Sequence, residues 1–362
     1  MDKYEKILDN LIMAVKPLDA EAREKAKAQQ DRLAKPPRSL GRLEDLSVQM
    51  AGIAGFDADI SKKRLLVFAA DNGVVEEGVS SAPQSVTLAQ TINLTRGKTG
   101  AAALSRFYGN ELYVYDVGVN AEISDEKVIN KKIALGTKNI AKEPAMTRSE
   151  ALRAVNAGIE AALDAKRDGV SVIGVGEMGI GNTTTSSAVL AALTDLKAAA
   201  VTGRGGGISN ESYARKLQVI DDAIDAYKPD RNDVLDILSK VGGFDICAMT
   251  GAFIAGASEG MAVVIDGFIS AVAALCAAKL CPPCRSYMIA SHKSREPGYV
   301  IAMRELGLRP LFDLEMRLGE GSGCPIAFSM IDAAWFVLHN MASFTEAGII
   351  DDYLDEIRNE VF

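Results

Sequence analysis

One carboxylate in this chain is set out for chemistry. In the stretch Met316 to Gly323, Met-Arg-Leu-Gly-Glu-Gly-Ser-Gly, Glu320 stands between Gly319 and Gly321. Glycines on both sides remove neighbouring side chains and let the backbone take positive φ or approach a ligand closely. Apolar Leu314, Met316 and Leu318 precede it, a setting that suits a proton-accepting group at a pocket wall. On spacing alone, a polar turn leading into a helix from Cys324 to His339 accounts for the stretch better. Its meaning therefore depends on the loops around it.

Two glycine-rich loops could bind an anion. Gly174 to Thr185 reads Gly-Val-Gly-Glu-Met-Gly-Ile-Gly-Asn-Thr-Thr-Thr. Gly174, Gly176 and Gly179 match a dinucleotide-binding spacing, which is weak by itself. The acidic partner would be Asp195, which precedes the next apolar run, Ala198 to Val201, instead of following it; this counts against a nucleotide-dependent oxidoreductase. A P-loop is absent as well. What survives is a glycine turn feeding a helix that starts at Asn182-Thr183-Thr184. Free amides and hydroxyls there suit a phosphate monoester, and a helix cap without ligand fits equally well. Gly203-Arg204-Gly205-Gly206-Gly207, with Lys216 beyond it, is the second loop. Consecutive glycines can form an amide concavity for an anion, although alone this loop reads as flexible surface. Taken as following adjacent strands, the two loops are better explained by one shared phosphate. Glu177 would repel that phosphate, so it is expected to face a ribose hydroxyl or a developing positive charge.

The elements that must position these loops alternate regularly. Short apolar runs at Arg64–Ala70, Leu112–Tyr115, Val170–Val175, Val263–Ile265 and Met288–Ala290 each end in small or polar residues. Helical patterns at Arg148–Ala165, Thr183–Leu193, Ser212–Tyr227 and Gly267–Lys279 separate them. This predicts an α/β fold, a parallel sheet covered by helices on both faces, with the site along the carboxyl ends of the strands. Before the first strand, a helix over Leu18–Ala34 ends at Pro36-Pro37, and Ser39 is expected to cap a second one running to about Ile53. These helices form a helical lobe to which C-terminal helices, Pro325 to about Met341 and Ile350–Val361, are expected to return. The expected division is 60–323 for the large domain, and 1–59 with 324–362 for a smaller all-helical one.

Composition narrows the class. The 362 residues are 48% hydrophobic, 24% charged and only 6% aromatic, with a net charge of −8. Scarce aromatics and an acidic balance argue against a nucleic-acid surface or an anionic membrane as partner. The longest apolar run, Gly267 to Ala278, is too short to span a bilayer. The first residues lack a secretory pattern, so a cytoplasmic location is expected. Five cysteines fit reduced thiols. Cys281-Pro-Pro-Cys284 has the spacing of a redox or metal half-site, but only His292 and His339 exist to complete one.

Taken together, these residues resemble the nicotinate-nucleotide:5,6-dimethylbenzimidazole phosphoribosyltransferase family, which prepares the lower ligand of cobalamin. The similarity is carried by Lys35–Glu44, Ala70–Val75 with Glu77-Gly78-Val79, Gly174–Thr184, Lys240–Asp245, Asp266–Ser270, Ser291-His292 and Arg317–Gly323. It implies a Rossmann-like large domain, a small helical domain built from both termini, and a homodimer. It also implies transfer of the 5-phosphoribosyl group from nicotinate mononucleotide to a benzimidazole nitrogen, with no metal and no cofactor. By motif match Glu320 is the general base and Glu177 a second carboxylate. Gly176, Gly179, Asn182, Thr183, Gly203, Gly205, Lys216 and Ser291 fall on the phosphate and ribose side, and Gln90, Met178 and Leu318 line the acceptor-base pocket. Arg38 stands where the family usually has Gly, and Asn72 where His is frequent. Ala82, on the pocket side, replaces a Ser or Tyr, which leaves the accepted base open. An inactive partner subunit is the rival from another class; it should lack Glu320.

Overall fold

The computed structural model describes residues 3–354. Its centre is a six-stranded sheet: β1 (Lys63–Ala70), β2 (Glu111–Gly118), β3 (Val128–Asn130), β4 (Val172–Met178), β5 (Ala262–Ile265) and β6 (Met288–Ala290). All neighbours pair in parallel, in the order β3-β2-β1-β4-β5-β6. From β1 the chain builds outward to β3, then returns to β1's other side with β4. The strand order thus reverses between β1 and β4, and a crevice opens there beyond the carboxyl ends. Phe68 and Ala69 pair with Glu177 and Met178, so both strands reach that edge together.

Successive side chains of a strand point to opposite faces, and β4 shows what covers each. A side chain on Gly174 would run into Cys324 and Phe328 of the helix Gly323–Asn340, whereas Ile173 packs against Gly256 of the helix Phe244–Ser258. The second of these helices is apolar nearly all round and buried along almost its whole length, as a helix between two layers must be. It crosses the helix Arg148–Arg167 at backbone contact, since a Cβ on Gly158 would lie 1.7 Å from the Ala248 carbonyl oxygen. The Ala- and Gly-rich composition is what permits this approach.

Outside the sheet layers, Ala26, Ala51 and Leu338 form a small second core with Val48, Phe56 and Trp335 against it. It joins the helices Ala20–Arg32 and Arg42–Ala54 to the far end of Gly323–Asn340. The helix Lys3–Ala14 packs instead on Phe244–Ser258 and Arg148–Arg167. No helix among the described residues is long and apolar enough to cross a membrane.

Several local expectations need correction. Ser39 is not a cap: the second helix begins at Arg42 after Gly41, with no capping side chain. Ala198–Val201 is a helical turn and not a strand, so Gly203–Gly207 is not a strand-end loop. The three-residue β3 went unseen, being too short for any period to show. Of the helix expected over Ile350–Val361, residues 355–361 lie outside the described residues, and Asp352–Leu354 forms one 3₁₀ turn. Cys281 and Cys284 are buried free thiols at the end of the helix Phe268–Leu280, away from the crevice.

The Gly158 contact yields a test. Gly158→Ala should destabilise the protein by about 1–3 kcal/mol through overpacking, despite the better helix propensity of alanine, in chemical denaturation.

Candidate active site

The crevice at the strand-order reversal holds a cavity of about 260 Å³. Glu320 lines it and is nearly buried. Its backbone is unusual: Gly319, Glu320 and Gly321 all have positive φ, at 86°, 64° and 83°. A glutamate there is strained, and such strain persists only where surrounding contacts impose it. Asp266, at the end of β5, imposes it. Its two carboxylate oxygens accept the backbone N–H groups of Gly321 at 3.1 Å and of Gly323 at 2.7 Å. From below, Gly176 of β4 lets the loop sit directly on the sheet, since a Cβ there would be 2.5 Å from the Gly321 nitrogen. The Glu320 carboxylate then accepts the Ala101 N–H at 3.1 Å, at the start of the helix Gly100–Phe107. Negative charge is favourable at that end of a helix.

A second carboxylate lies beneath this loop. Glu177, at the end of β4, has one oxygen beside Gly319 and accepts the Asn182 side-chain amide with the other. The same amide donates to Asp245 at 3.0 Å. Burial, reinforced by the charges of Asp245 and Asp266 and opposed by Asn182, pushes Glu177 up to about 8. Burial pushes Asp245 up to about 6, against the pull of Asn182 and backbone amides. Near neutrality Glu177 is therefore largely protonated and can donate a hydrogen bond.

Thr183, Arg204, Gly205 and Gly206 also line the cavity. Lys216 is buried behind them and donates to Thr183 Oγ1 at 2.8 Å. Burial brings its ammonium down to about 8, with Glu296 acting the other way. Glu296 itself reaches in and accepts the Gly205 N–H at 2.9 Å. The side wall carries Ala82, Gln90, Met178 and Leu318. A buried base, a protonated acid, a cationic glycine cradle and an apolar wall can hold an anionic sugar donor against an aromatic acceptor.

The model of a phosphoribosyltransferase family matches residues 15–349. Nicotinate-nucleotide–dimethylbenzimidazole phosphoribosyltransferase of Clostridium perfringens is 50% identical over 98% of both chains, and that of Clostridium tetani is 42% identical over 98% of this chain and 99% of the other. The crystal structure of CobT from Thermus thermophilus superposes with a TM-score of 0.88, at 40% identity, covering 91% of this chain and 99% of that one. The chain belongs to the nicotinate-nucleotide–dimethylbenzimidazole phosphoribosyltransferase family.

In this phosphoribosyltransferase chain the structure brings Glu320, Glu177, Gly179, Asn182, Thr183, Gly205 and the four wall residues to one cavity. Three glycine- or serine-based expectations shift. Gly176 lies under Gly321 and does not line the cavity, and Gly174 is covered by Cys324, so this pair cannot form a dinucleotide turn. Ser291 donates to the Asp266 carbonyl at 3.1 Å and sits next to His292, bracing strand ends behind the cavity. Gly203 is covered by the Glu296 carboxylate. Lys216 does not line the cavity and meets it through its hydrogen bond to Thr183. Asp266, His292, Glu296 and Arg317 line the cavity without having been singled out. The rule that strand ends point at the ligand, applied to Asp266, could have found the first of them.

The Glu177 shift has a measurable sign. Between its ordinary 4.5 and about 8 the folded chain keeps a proton that the unfolded chain has released, so this group's contribution is full below 4.5 and is lost as pH rises to 8. Glu177→Gln cannot ionise. Its melting temperature should sit close to the parent's at the acid end and rise above it progressively toward the alkaline end. A gap independent of pH would refute the assignment.

Proposed function

We propose that this phosphoribosyltransferase moves the 5-phosphoribosyl group of nicotinate mononucleotide to a ring nitrogen of 5,6-dimethylbenzimidazole or a related lower-ligand base. Nicotinate and an α-ribazole 5′-phosphate type product leave, as a step of cobalamin biosynthesis. The observation that carries this reading is that the Glu320 carboxylate and the Gly205 loop, backed by Lys216 through Thr183, line one cavity of about 260 Å³. The names of the close relatives point to the same pair of substrates.

The chemistry balances on these residues. The acceptor nitrogen attacks C1′ as the C1′–N bond to nicotinate breaks, and the pyridinium nitrogen takes that bond's electron pair. Attack opposite the leaving group converts β to α. The acceptor's N–H proton passes to Glu320, the only base this step needs. Positive charge developing at C1′ is stabilised by the same carboxylate. Protonated Glu177 adds no further anion beside a donor that already carries phosphate and carboxylate, and can donate to a ribose hydroxyl. Ala82, Gln90, Met178 and Leu318 form the acceptor wall. The small side chain at Ala82 leaves room that a Ser or Tyr would fill, so adenine or a phenolic ring also belongs in the test panel.

The same reading includes a homodimer in the cytoplasm and a division into a large domain, 60–323, and a small helical one formed by both ends of the chain. Incubating the protein with nicotinate mononucleotide and a panel of bases, then identifying products by mass and anomeric configuration, tests the reaction; no phosphoribosylated base would end the proposal. Glu320→Gln should keep the fold and donor affinity while turnover falls by roughly 10²–10⁴-fold. Near-parental turnover would remove Glu320 from the base's role.

A further inference from the structure

The glycine cradle is not bare. Glu296 Oε1 takes the Gly205 amide, and Oε2 is buried with no hydrogen-bond partner. That second oxygen sits so tightly over Gly203 that a Cβ there would be 2.1 Å away. Lys216, the cradle's cation, feels the Glu296 charge and hydrogen-bonds only Thr183 Oγ1 among the described residues. An amide concavity with a nearby ammonium is a site for an anion, and in the free protein the anion is a side chain of the chain itself. A buried acceptor oxygen left unpaired costs free energy, so this arrangement is poised to give way to a better ligand. Pro297 follows at the first turn of the helix Pro297–Leu306 and fixes the backbone, so leaving needs only rotation of the Glu296 side chain.

We propose that Glu296 is a resident anion of the cradle, displaced when the phosphate of a ligand binds to Gly205 and its neighbours. The identity of that ligand rests on the phosphoribosyl-transfer reading; the exchange itself does not. Because donor and product carry the same phosphate, competition by Glu296 weakens both. It acts on binding and release instead of on the bond-making step, since interactions equal in ground and transition states leave the chemistry unchanged.

The experiment compares parent and Glu296→Gln by calorimetry with three probes: inorganic phosphate, nicotinate mononucleotide, and nicotinate riboside, which lacks the phosphate. Glutamine keeps the shape and loses the charge. Inorganic phosphate and the mononucleotide should bind about tenfold tighter to the variant, and the riboside equally to both, which also reports an intact site. Unchanged or weaker phosphate binding by the variant overturns the inference, as does absence of phosphate binding in both proteins. Equal weakening of mononucleotide and riboside also overturns it, assigning Glu296 to the sugar hydroxyls. A parent that binds phosphate but neither nicotinate compound overturns the proposed function and leaves the exchange standing.

Discussion

The whole site depends on one carboxylate that never needs to touch a substrate. Asp266 gathers the amides on either side of Ser322 and, by doing so, holds three successive residues in left-handed backbone conformations. Without that clamp the Glu320 loop would relax toward ordinary φ and its acid would swing away from the Ala101 amide. Burial pushes Asp266 up, while His292, 3.7 Å away, and the amides of Gly323, Gly321 and Gly267 pull it back. Strain at Glu320 is thus balanced by hydrogen bonds to a buried acid, an arrangement characteristic of functional loops.

Much of this was legible in the sequence, for a physical reason. Near-continuous apolar runs ending in Asp-Asn, Glu-Met, Asp-Gly and Ser-His report a sheet buried on both faces with polar ends on one edge, because only buried strands lose their alternation. Five of the six strands follow from that pattern. Glu320 between two glycines was readable only beside the other loops and the family motif, since alone the stretch reads as a polar turn before a helix. Less legible was everything that depends on contacts distant in sequence. Gly176 looks like a phosphate-binding glycine until Gly321, far along the chain, is seen against it. Lys216 and Thr183 form one unit only after two helices come together. Nothing in the run Ala198–Val201 distinguishes a strand from a helical turn, as short apolar stretches are ambiguous by periodicity alone.

Electrostatics divides the cavity into two unlike ends. Around Glu177, Asp245 and Asp266 the acids outnumber cations, and burial pushes all three carboxyls up. Around Gly203–Gly207, backbone amides and a buried ammonium are met by the Glu296 carboxylate.

The contact of Gly176 with Gly321 ties the Glu320 loop to the sheet. The loop bearing the proton acceptor is seated on the central strand, so its coordinates derive from the sheet. Of the four wall residues, Ala82 and Gln90 come from the segment after β1, whereas Met178 ends β4 and Leu318 adjoins the Glu320 loop, so these two share that seat. Substitutions at Ala82 and Gln90 can therefore reshape the cavity without moving the seat, while those at Met178 and Leu318 press on the strand and loop that form it.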